Sequence, residues 1–311
     1  MWLAGARPRT LPAAVVPVAV GTAAATLGRG DIRWGRAVLA LLVSLALQLG
    51  VNFSNDYSDG IRGTDDVGVR VGPPRLVGWR LVSPKSVKRA AFAAFAFAAV
   101  AGLGLAAVTS WWLIIVGVAA IAAAWFYTGG PHPYGYAGLG EVFVFTFFGL
   151  VAVAGSAYVQ HEQIPRVAWP CGIAIGLLAV SLLVTNNLRD IPGDSTVGKR
   201  TLAVRIGDIR TRWFFGICLV LPFLLVPFIA SLAHRWLVLL ALLALFAAVD
   251  PVRRVWSGAA GRELIAVLGS TARVQLIFGV LLTVGLWSGA RHVVPGQSSV
   301  PSPVRSTNTA K

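Results

Sequence analysis

Residues 37–59, AVLALLVSLALQLGVNFSNDYSD, decide the fold: a long apolar run ends in the polar string Asn55-Asp56-Tyr57-Ser58-Asp59. An apolar run of about 20 residues is long enough to cross the hydrocarbon core of a membrane as one helix. Carboxylates at the edge of a low-dielectric medium are costly, so something positive must compensate them. The stretch therefore predicts a transmembrane helix with a polar site at one end.

The composition of the whole chain is that of a protein that lies in lipid. Of its 311 residues, 56% are hydrophobic and only 13% are charged, whereas soluble domains carry about 25% charged residues. We expect residues 1–290 to form a single membrane domain and residues 291–311, rich in Ser, Pro and Thr, to form a disordered tail. Apolar segments predict an all-α integral membrane protein with about nine transmembrane helices, at residues 11–28, 37–55, 87–108, 111–128, 139–159, 167–187, 212–232, 235–250 and 272–290.

The net charge of +15 does not indicate a nucleic-acid partner. Lys and Arg sit in short loops between apolar runs, without a basic face interleaved with stacking aromatics. If the N-terminus is cytoplasmic, most of these residues fall on the cytoplasmic side, although Arg29, Arg33 and Arg36 do not. The charge pattern therefore favours a cytoplasmic N-terminus and cytoplasmic Asp-rich loops.

The acidic residues are concentrated in two places. Asn55 and Asp59 share a face if the second span continues through them, because residues i and i+4 are neighbours on a helix. Asn187, Asp190 and Asp194 would align in the same way, but we expect the helix to break at Pro192-Gly193. Both clusters emerge at the same side, from spans two and six, which predicts one shared site. Seven of the twelve Asp and Glu residues lie in the two loops that contain these clusters: Asp56, Asp59, Asp65, Asp66, Asp190, Asp194 and Asp208.

These oxygen donors indicate a hard cation, Mg2+ above Ca2+ or Mn2+, because neither cluster contains Cys or His. Carboxylates together with Arg and Lys suit a metal-bridged diphosphate. Either Asp-rich string alone could be an ordinary solvated loop. Two similar strings, each at the end of a span, favour a metal site. The basic residues that follow the two strings are Arg62, Arg70, Arg75 and Arg80, and Lys199, Arg200 and Arg205.

The two strings resemble the Asp-rich motifs of the UbiA-type intramembrane prenyltransferases. Residues 55–66 look like the first motif, and residues 187–194 followed by 198–207 look like the second. The resemblance extends from Ala6 to about Gly289. Within the family the chain looks most like the MenA branch, the 1,4-dihydroxy-2-naphthoate polyprenyltransferases. The strings that carry this closer match are residues 6–12, 72–77 and 127–141. Other branches tend to have a Lys in the loop at 127–141. The absence of a Lys from this loop supports the MenA branch.

The resemblance implies a nine-helix bundle around a central cavity that opens sideways to lipid. It also implies that Asp56 and Asp65 support the site. The implied ligands of Mg2+ are Asn55, Asp59, Asn187, Asp190 and Asp194, and the implied contacts of the diphosphate are Arg62, Arg75, Lys199 and Arg205.

The implied reaction is Mg2+-dependent transfer of a polyprenyl group from polyprenyl diphosphate to 1,4-dihydroxy-2-naphthoate at a bacterial inner membrane, with loss of CO2 and diphosphate, giving demethylmenaquinone. Asp65, Asp66 and Glu141 are alternative bases, although Glu141 also suits a helix N-terminus. Arg9, Tyr127 and His132 are candidate acceptor contacts, although Arg9 also suits charge anchoring and His132 a plain loop.

Two alternatives remain at this point. One is a prenyltransferase with another acceptor, such as 4-hydroxybenzoate or a chlorophyllide. The other is a secondary transporter, suggested by two similar halves, but the acids lie at span ends and not at mid-membrane. The oligomeric state is not predicted.

Overall fold

A computed structural model describes residues 1–29, 31–66 and 72–288. Within these ranges every regular element is helical. The proposed tail at 291–311 and Arg70 lie outside the described residues. The helices are α1 (Trp2–Ala6), α2 (Pro12–Arg29), α3 (Trp34–Ile61), α4 (Pro84–Ala107), α5 (Leu113–Phe126), α6 (Gly140–His161), α7 (Ala168–Thr196), α8 (Leu202–Ile206), α9 (Asp208–Ala233), α10 (Trp236–Trp256) and α11 (Glu263–Trp287), with a 3-10 turn at Pro8–Thr10.

The membrane class is confirmed, but the number of spans is lower than predicted. Seven of the described helices are long and apolar enough to cross a membrane, and eight if the bent pair Trp2–Thr10 and Pro12–Leu27 is one span. The prediction was about nine. Two predicted spans are not among the seven: α2, which counts only as part of the bent pair, and α5. The 14 residues of α5 extend only about 21 Å at 1.5 Å per residue, short of a hydrocarbon core of about 30 Å.

The helices form a bundle in which α3 packs on α4, α2 packs between α6 and α11, and α7 packs on α6 and α9. The main apolar core joins α2, α7, α9, α10 and α11. Helix α6 changes to π-helical geometry at Phe145–Val151. There it lies very close to α7, because a Cβ on Gly149 would fall 2.5 Å from the Cα of Gly176. The small residues of α7 thus permit close helix packing, as expected in membranes.

Both Asp-rich motifs lie at one end of the bundle, which we call the motif end. The other end, where α3 begins, is the opposite end. Helix α3 continues to Ile61, so Asn55 and Asp59 do share a helical face. Helix α7 continues to Thr196, so the predicted break at Pro192-Gly193 is wrong. A proline removes one donor from the helical ladder, and the remaining bonds of α7 carry the helix through it.

Candidate active site

A central cavity of about 630 Å3 connects the motif end with the apolar interior. Along α3 it extends from Ala40 to Asn55, a rise of about 22 Å over that helical stretch. Charged and amide side chains line the motif end of the cavity, and mostly apolar side chains line the rest, with Ser44, Gln48 and Ser156 among them. The polar lining residues include Asn55, Arg75, Asn186, Asn187, Arg189, Asp190 and Lys199.

Lys199 lies between carboxylates from the two motifs. Its Nζ is 3.9 Å from Oδ2 of Asp59 and 3.5 Å from Oδ1 of Asp194. Its backbone N–H also donates to the carbonyl of Asp194 at 2.9 Å. Burial alone would lower the pKa of Lys199, but the carboxylates of Asp59 and Asp194 outweigh burial and raise this pKa. The motifs predicted to form one site therefore meet around a partly buried cation.

Tyr136 supports the first motif from the loop between α5 and α6. Its hydroxyl donates to Oδ1 of Asp59 at 2.8 Å, and the cationic ends of Lys199 and Arg62 lie 5.1 Å and 5.4 Å from its ring centroid. Burial and the Asp59 carboxylate raise the pKa of Tyr136, which keeps the hydroxyl a donor. Sequence reasoning did not assign Tyr136, although it lies in the 127–141 string.

The two motif asparagines are held by neighbours from the same part of the chain. The Thr128 hydroxyl donates to Oδ1 of Asn55 at 2.9 Å, and Nδ2 of Asn187 donates to Oε1 of Glu141 at 2.9 Å. Glu141 is 5% exposed, and its Oε2 is buried without a hydrogen-bond partner. Glu141 was predicted as a base, and the structure places its carboxylate against a residue that lines the cavity.

Two arginines face the cavity with a carboxylate at their side. Nε of Arg75 is 3.5 Å from Oδ2 of Asp65. Arg189 forms a bidentate pair with the adjacent Asp190, with both N···O distances 2.7 Å. Asp65, a predicted base, is thus engaged in orienting Arg75. Sequence reasoning missed Arg189, and the available signal was an arginine inside the last turns of an apolar span.

Two predicted site residues hold loops instead of facing the cavity. Asp56 accepts hydrogen bonds from the backbone N–H groups of Leu76 and Val77 at 3.2 Å and 3.1 Å. The Arg62 guanidinium donates to the carbonyls of Thr128 and Gly130. Asp56 was predicted to support the site and Arg62 to contact the diphosphate. Neither side chain lines the cavity, because each is bonded to backbone groups of adjoining loops.

Three further predicted residues lie on the surface at the motif end. Asp66, His132 and Arg205 are exposed, and none of them lines the cavity. Nε of Arg205 donates to the carbonyl of Arg200 at 3.1 Å, and His132 lies between two prolines in the loop before α6. These positions correct the prediction that Asp66 is a cavity base, His132 an acceptor contact and Arg205 a diphosphate contact.

Arg9 and Tyr127 do line the cavity. Asn52 of α3 fixes the N-terminal segment near Arg9, because its Nδ2 donates to the carbonyl of Ala6 at 2.8 Å. Tyr127 packs edge to face on Tyr134, with 5.5 Å between the ring centroids. Both positions are compatible with the predicted contacts to an aromatic acceptor.

The motif end offers donors that suit Mg2+. Asp59 and Asp194 supply carboxylate oxygens, and Oδ2 of Asp194 is buried without a hydrogen-bond partner. In the part of the chain that the structure describes, no group of three or more His, Cys, Asp and Glu side chains forms a metal cage. Mg2+ is typically held by one or two carboxylates and by substrate phosphates. The site therefore fits a magnesium ion that is bound together with a diphosphate.

The sequence and the fold define the class of protein. The model of the UbiA prenyltransferase family matches residues 14–267, and the chain belongs to this family. The bundle is similar to solved structures at low identity. It matches an apo UbiA homolog from Aeropyrum pernix with a TM-score of 0.67 and 14% identity, covering 87% of this chain and 97% of that one. It also matches a UbiA homolog from Archaeoglobus fulgidus bound to DMAPP and Mg2+, with a TM-score of 0.62 and 15% identity, covering 91% and 99%.

More similar relatives carry a specific name. The chain is 50% identical to the 1,4-dihydroxy-2-naphthoate octaprenyltransferase of Mycobacterium tuberculosis, covering 93% of this chain and 97% of that one. It is 37% identical to the enzyme of the same name from Escherichia coli, covering 92% and 94%. The predicted family is confirmed, and the protein is a prenyltransferase of the membrane. The transporter alternative has no support from these relatives.

Proposed function

We propose that this protein transfers a polyprenyl group from a polyprenyl diphosphate to 1,4-dihydroxy-2-naphthoate. The observation that carries the proposal is the cavity itself: Lys199, Asp59 and Asp194 meet at its motif end, and apolar walls extend from there toward the opposite end. An amphiphilic donor with an anionic head and an isoprenoid tail matches this division. The named relatives support the acceptor.

The polar residues that line the cavity bind the head of the donor. Lys199, Arg75 and Arg189 present cationic groups to diphosphate oxygens, which they bind as charge-assisted hydrogen-bond donors. Asp59 and Asp194, with the amide oxygens of Asn55 and Asn187 and the Asp190 carboxylate beside them, would hold Mg2+. When bound, the metal neutralises the charge that develops on the departing diphosphate.

The bond between the prenyl C1 and the diphosphate oxygen breaks, and its electron pair leaves with the diphosphate. The ring carbon that bears the carboxylate forms the new C–C bond, and loss of CO2 returns an electron pair to the ring. Because CO2 leaves from that carbon, no base needs to remove a ring proton. The product is at the hydroquinone level, demethylmenaquinol, and an oxidant is needed to give demethylmenaquinone.

Of the three predicted bases, Glu141 has the best position to act on an acceptor hydroxyl. Asp66 is exposed, and Asp65 is engaged with Arg75. Glu141 touches Asn187 at the cavity wall. Arg9 and Tyr127 lie at the cavity as contacts for the acceptor carboxylate and ring.

The purified protein in lipid nanodiscs tests this function. We expect transfer of a labelled prenyl group from geranylgeranyl diphosphate to 1,4-dihydroxy-2-naphthoate, loss of this activity in EDTA, and its return with Mg2+. Parallel reactions with 4-hydroxybenzoate and a chlorophyllide test the other acceptors. Transfer to one of these in preference to the naphthoate would contradict the proposed acceptor, and EDTA-resistant transfer would contradict the metal.

We also propose that the motif end faces the cytoplasm of a bacterial cell, because most Lys and Arg residues lie at that end. Ser195 is exposed at the motif end and Asp31 at the opposite end. In intact cells, a membrane-impermeant maleimide should label Asp31→Cys, and it should label Ser195→Cys only after permeabilisation. The reverse pattern would contradict this orientation.

A further inference from the structure

A small apolar cluster lines the half of the cavity that is remote from the motifs. Val18, Ala40, Leu105 and Val159 are buried together there, and all four line the cavity. This cluster belongs to α2, α3, α4 and α6, near the opposite end of the bundle. The cavity is thus a channel with a polar mouth at the motif end and mostly apolar walls beyond it.

Two glycines in the channel wall have no packing reason to be glycine. A Cβ built on Gly117 of α5 or on Gly155 of α6 would meet no heavy atom within 4 Å, and both residues line the cavity. By contrast, a Cβ on Gly50 would fall 2.3 Å from the ring of Phe95, and one on Gly279 would fall 2.2 Å from a methyl group of Val16. A glycine inside a helix costs about 1 kcal/mol relative to alanine. Gly50 and Gly279 permit close packing, whereas Gly117 and Gly155 leave space in the channel.

Both glycines lie deep in the channel. Gly155 follows Glu141 along α6 by about 21 Å, and Gly117 precedes the end of α5 near Tyr127 by about 15 Å, at 1.5 Å per residue. A short prenyl chain whose head is at Lys199 ends before these depths. A long chain that follows the channel to these depths passes both glycines.

We propose that Gly117 and Gly155 set the length of the prenyl chain that the enzyme accepts, by keeping the distal channel open for the far isoprenoid units. The inference rests on the proposed function, since it concerns the donor of that reaction. A larger side chain at either position fills the channel from the wall and excludes the distal units. The diphosphate site at the channel mouth is unaltered.

The test compares Gly155→Leu and Gly117→Leu with the wild type, using geranyl diphosphate as the short donor and octaprenyl diphosphate as the long donor. We expect the ratio of kcat/KM for the long donor to that for the short donor to fall at least about tenfold, since even one methylene in an apolar pocket discriminates by that factor. Gly35→Leu is the matched control. Gly35 is an exposed helical glycine outside the channel whose Cβ would also meet nothing within 4 Å, so its ratio should remain that of the wild type.

An unchanged ratio in both channel variants, or an equal loss with both donors in folded protein, would overturn the inference. If a leucine variant does not purify as a monodisperse protein, Gly155→Ala replaces it, with a smaller shift expected in the same direction. Thermal stabilisation by each donor, measured without acceptor, gives a second readout. If the wild type binds both donors but prenylates no naphthoate, the proposed acceptor fails, while the ratio of donor stabilisation still decides the role of the glycines.

Discussion

The two ends of the bundle both contain partly buried cationic side chains, but these have different partners. At the opposite end, Nη1 of Arg36 donates to the carbonyl of Val159 at 2.9 Å and contacts Oε1 of Glu162 at 3.2 Å, and its Nη2 donates to the carbonyl of Val108. At the motif end, Lys199 lies between the carboxylates of Asp59 and Asp194. Arg36 is bonded mainly to backbone carbonyls, with the exposed carboxylate of Glu162 beside it, whereas Lys199 is held by two side-chain carboxylates.

This difference separates structural charges from functional ones. The last carbonyls of a helix have no partner within the helix, so Arg36 ties the ends of α4 and α6 to the start of α3. Under the proposed function, the Lys199 ammonium would bind phosphate oxygens in place of carboxylates that hold a metal. Arg62 belongs with Arg36 in this respect, because it bonds to backbone carbonyls although it directly follows the first motif.

The largest expected effect comes from removing a motif carboxylate. Asp59→Asn and Asp194→Asn should each lower kcat by about 1000-fold or more, because transition-state charge stabilisation is lost. Steady-state prenyl transfer at saturating Mg2+ measures this. Asp208→Asn is the matched control, since Asp208 pairs with Arg212 on the surface, and we expect its rate to stay within about twofold of the wild type. Near-normal turnover of Asp59→Asn would remove this residue from the metal site.

The second-largest effect on catalysis is expected from Lys199→Met, which should lower kcat/KM by about 100-fold. The substitution removes a phosphate contact and leaves Asp59 and Asp194 facing each other without a cation. We therefore expect the apparent affinity for Mg2+ to rise while catalysis falls. Lys199→Arg keeps the charge and should recover part of the rate. If Lys199→Met lowered Mg2+ affinity, a role for Lys199 in balancing the two carboxylates would be contradicted.

Much of the fold could be predicted because lipid imposes simple requirements. Long apolar runs bounded by charge located the helices, and the placement of acids after two of them located the site. Sequence could not show that α7 continues through Pro192, because packing against α6 and α9 outweighs the local cost of a proline. It also could not show that α5 is only 14 residues long, since the flanking Trp and Tyr residues extend its apolar run.

Five of the predicted site residues line the cavity, and their ligand and phosphate-binding roles stay predictions: Asn55, Arg75, Asn187, Asp190 and Lys199. Asp59 and Asp194 lie behind them, next to Lys199. The partners of long side chains could not be predicted, because a guanidinium bonds to whichever carbonyls folding brings near. Arg62 thus bonds to a loop 66 and 68 residues further along the chain, while Arg189, unassigned from sequence, lies at the cavity wall.

A smaller effect is expected where a carboxylate acts through an arginine. Asp65→Asn should raise KM for the prenyl diphosphate by about tenfold and leave kcat nearly unchanged, because it loosens Arg75 at the cavity wall. Donor titrations measure the two constants separately. The control is Asp66→Asn, at an exposed neighbour, with no expected change. A fall in kcat at unchanged KM would instead indicate that Asp65 takes part in the chemical step.

The smallest effect on catalysis is expected at the opposite end. Arg36→Met leaves carbonyls of α4 and α6 without their donor, so we expect a loss of about 2 to 3 kcal/mol in stability, measured by denaturation in detergent. Activity of the remaining folded protein should stay within about twofold of the wild type. Arg166→Met, at an exposed residue of the same end, should change neither quantity. If folded Arg36→Met lost activity as Lys199→Met does, the division between a structural end and a catalytic end would fail, because an arginine about 28 Å from Asn55 along α3 would then contribute to the reaction.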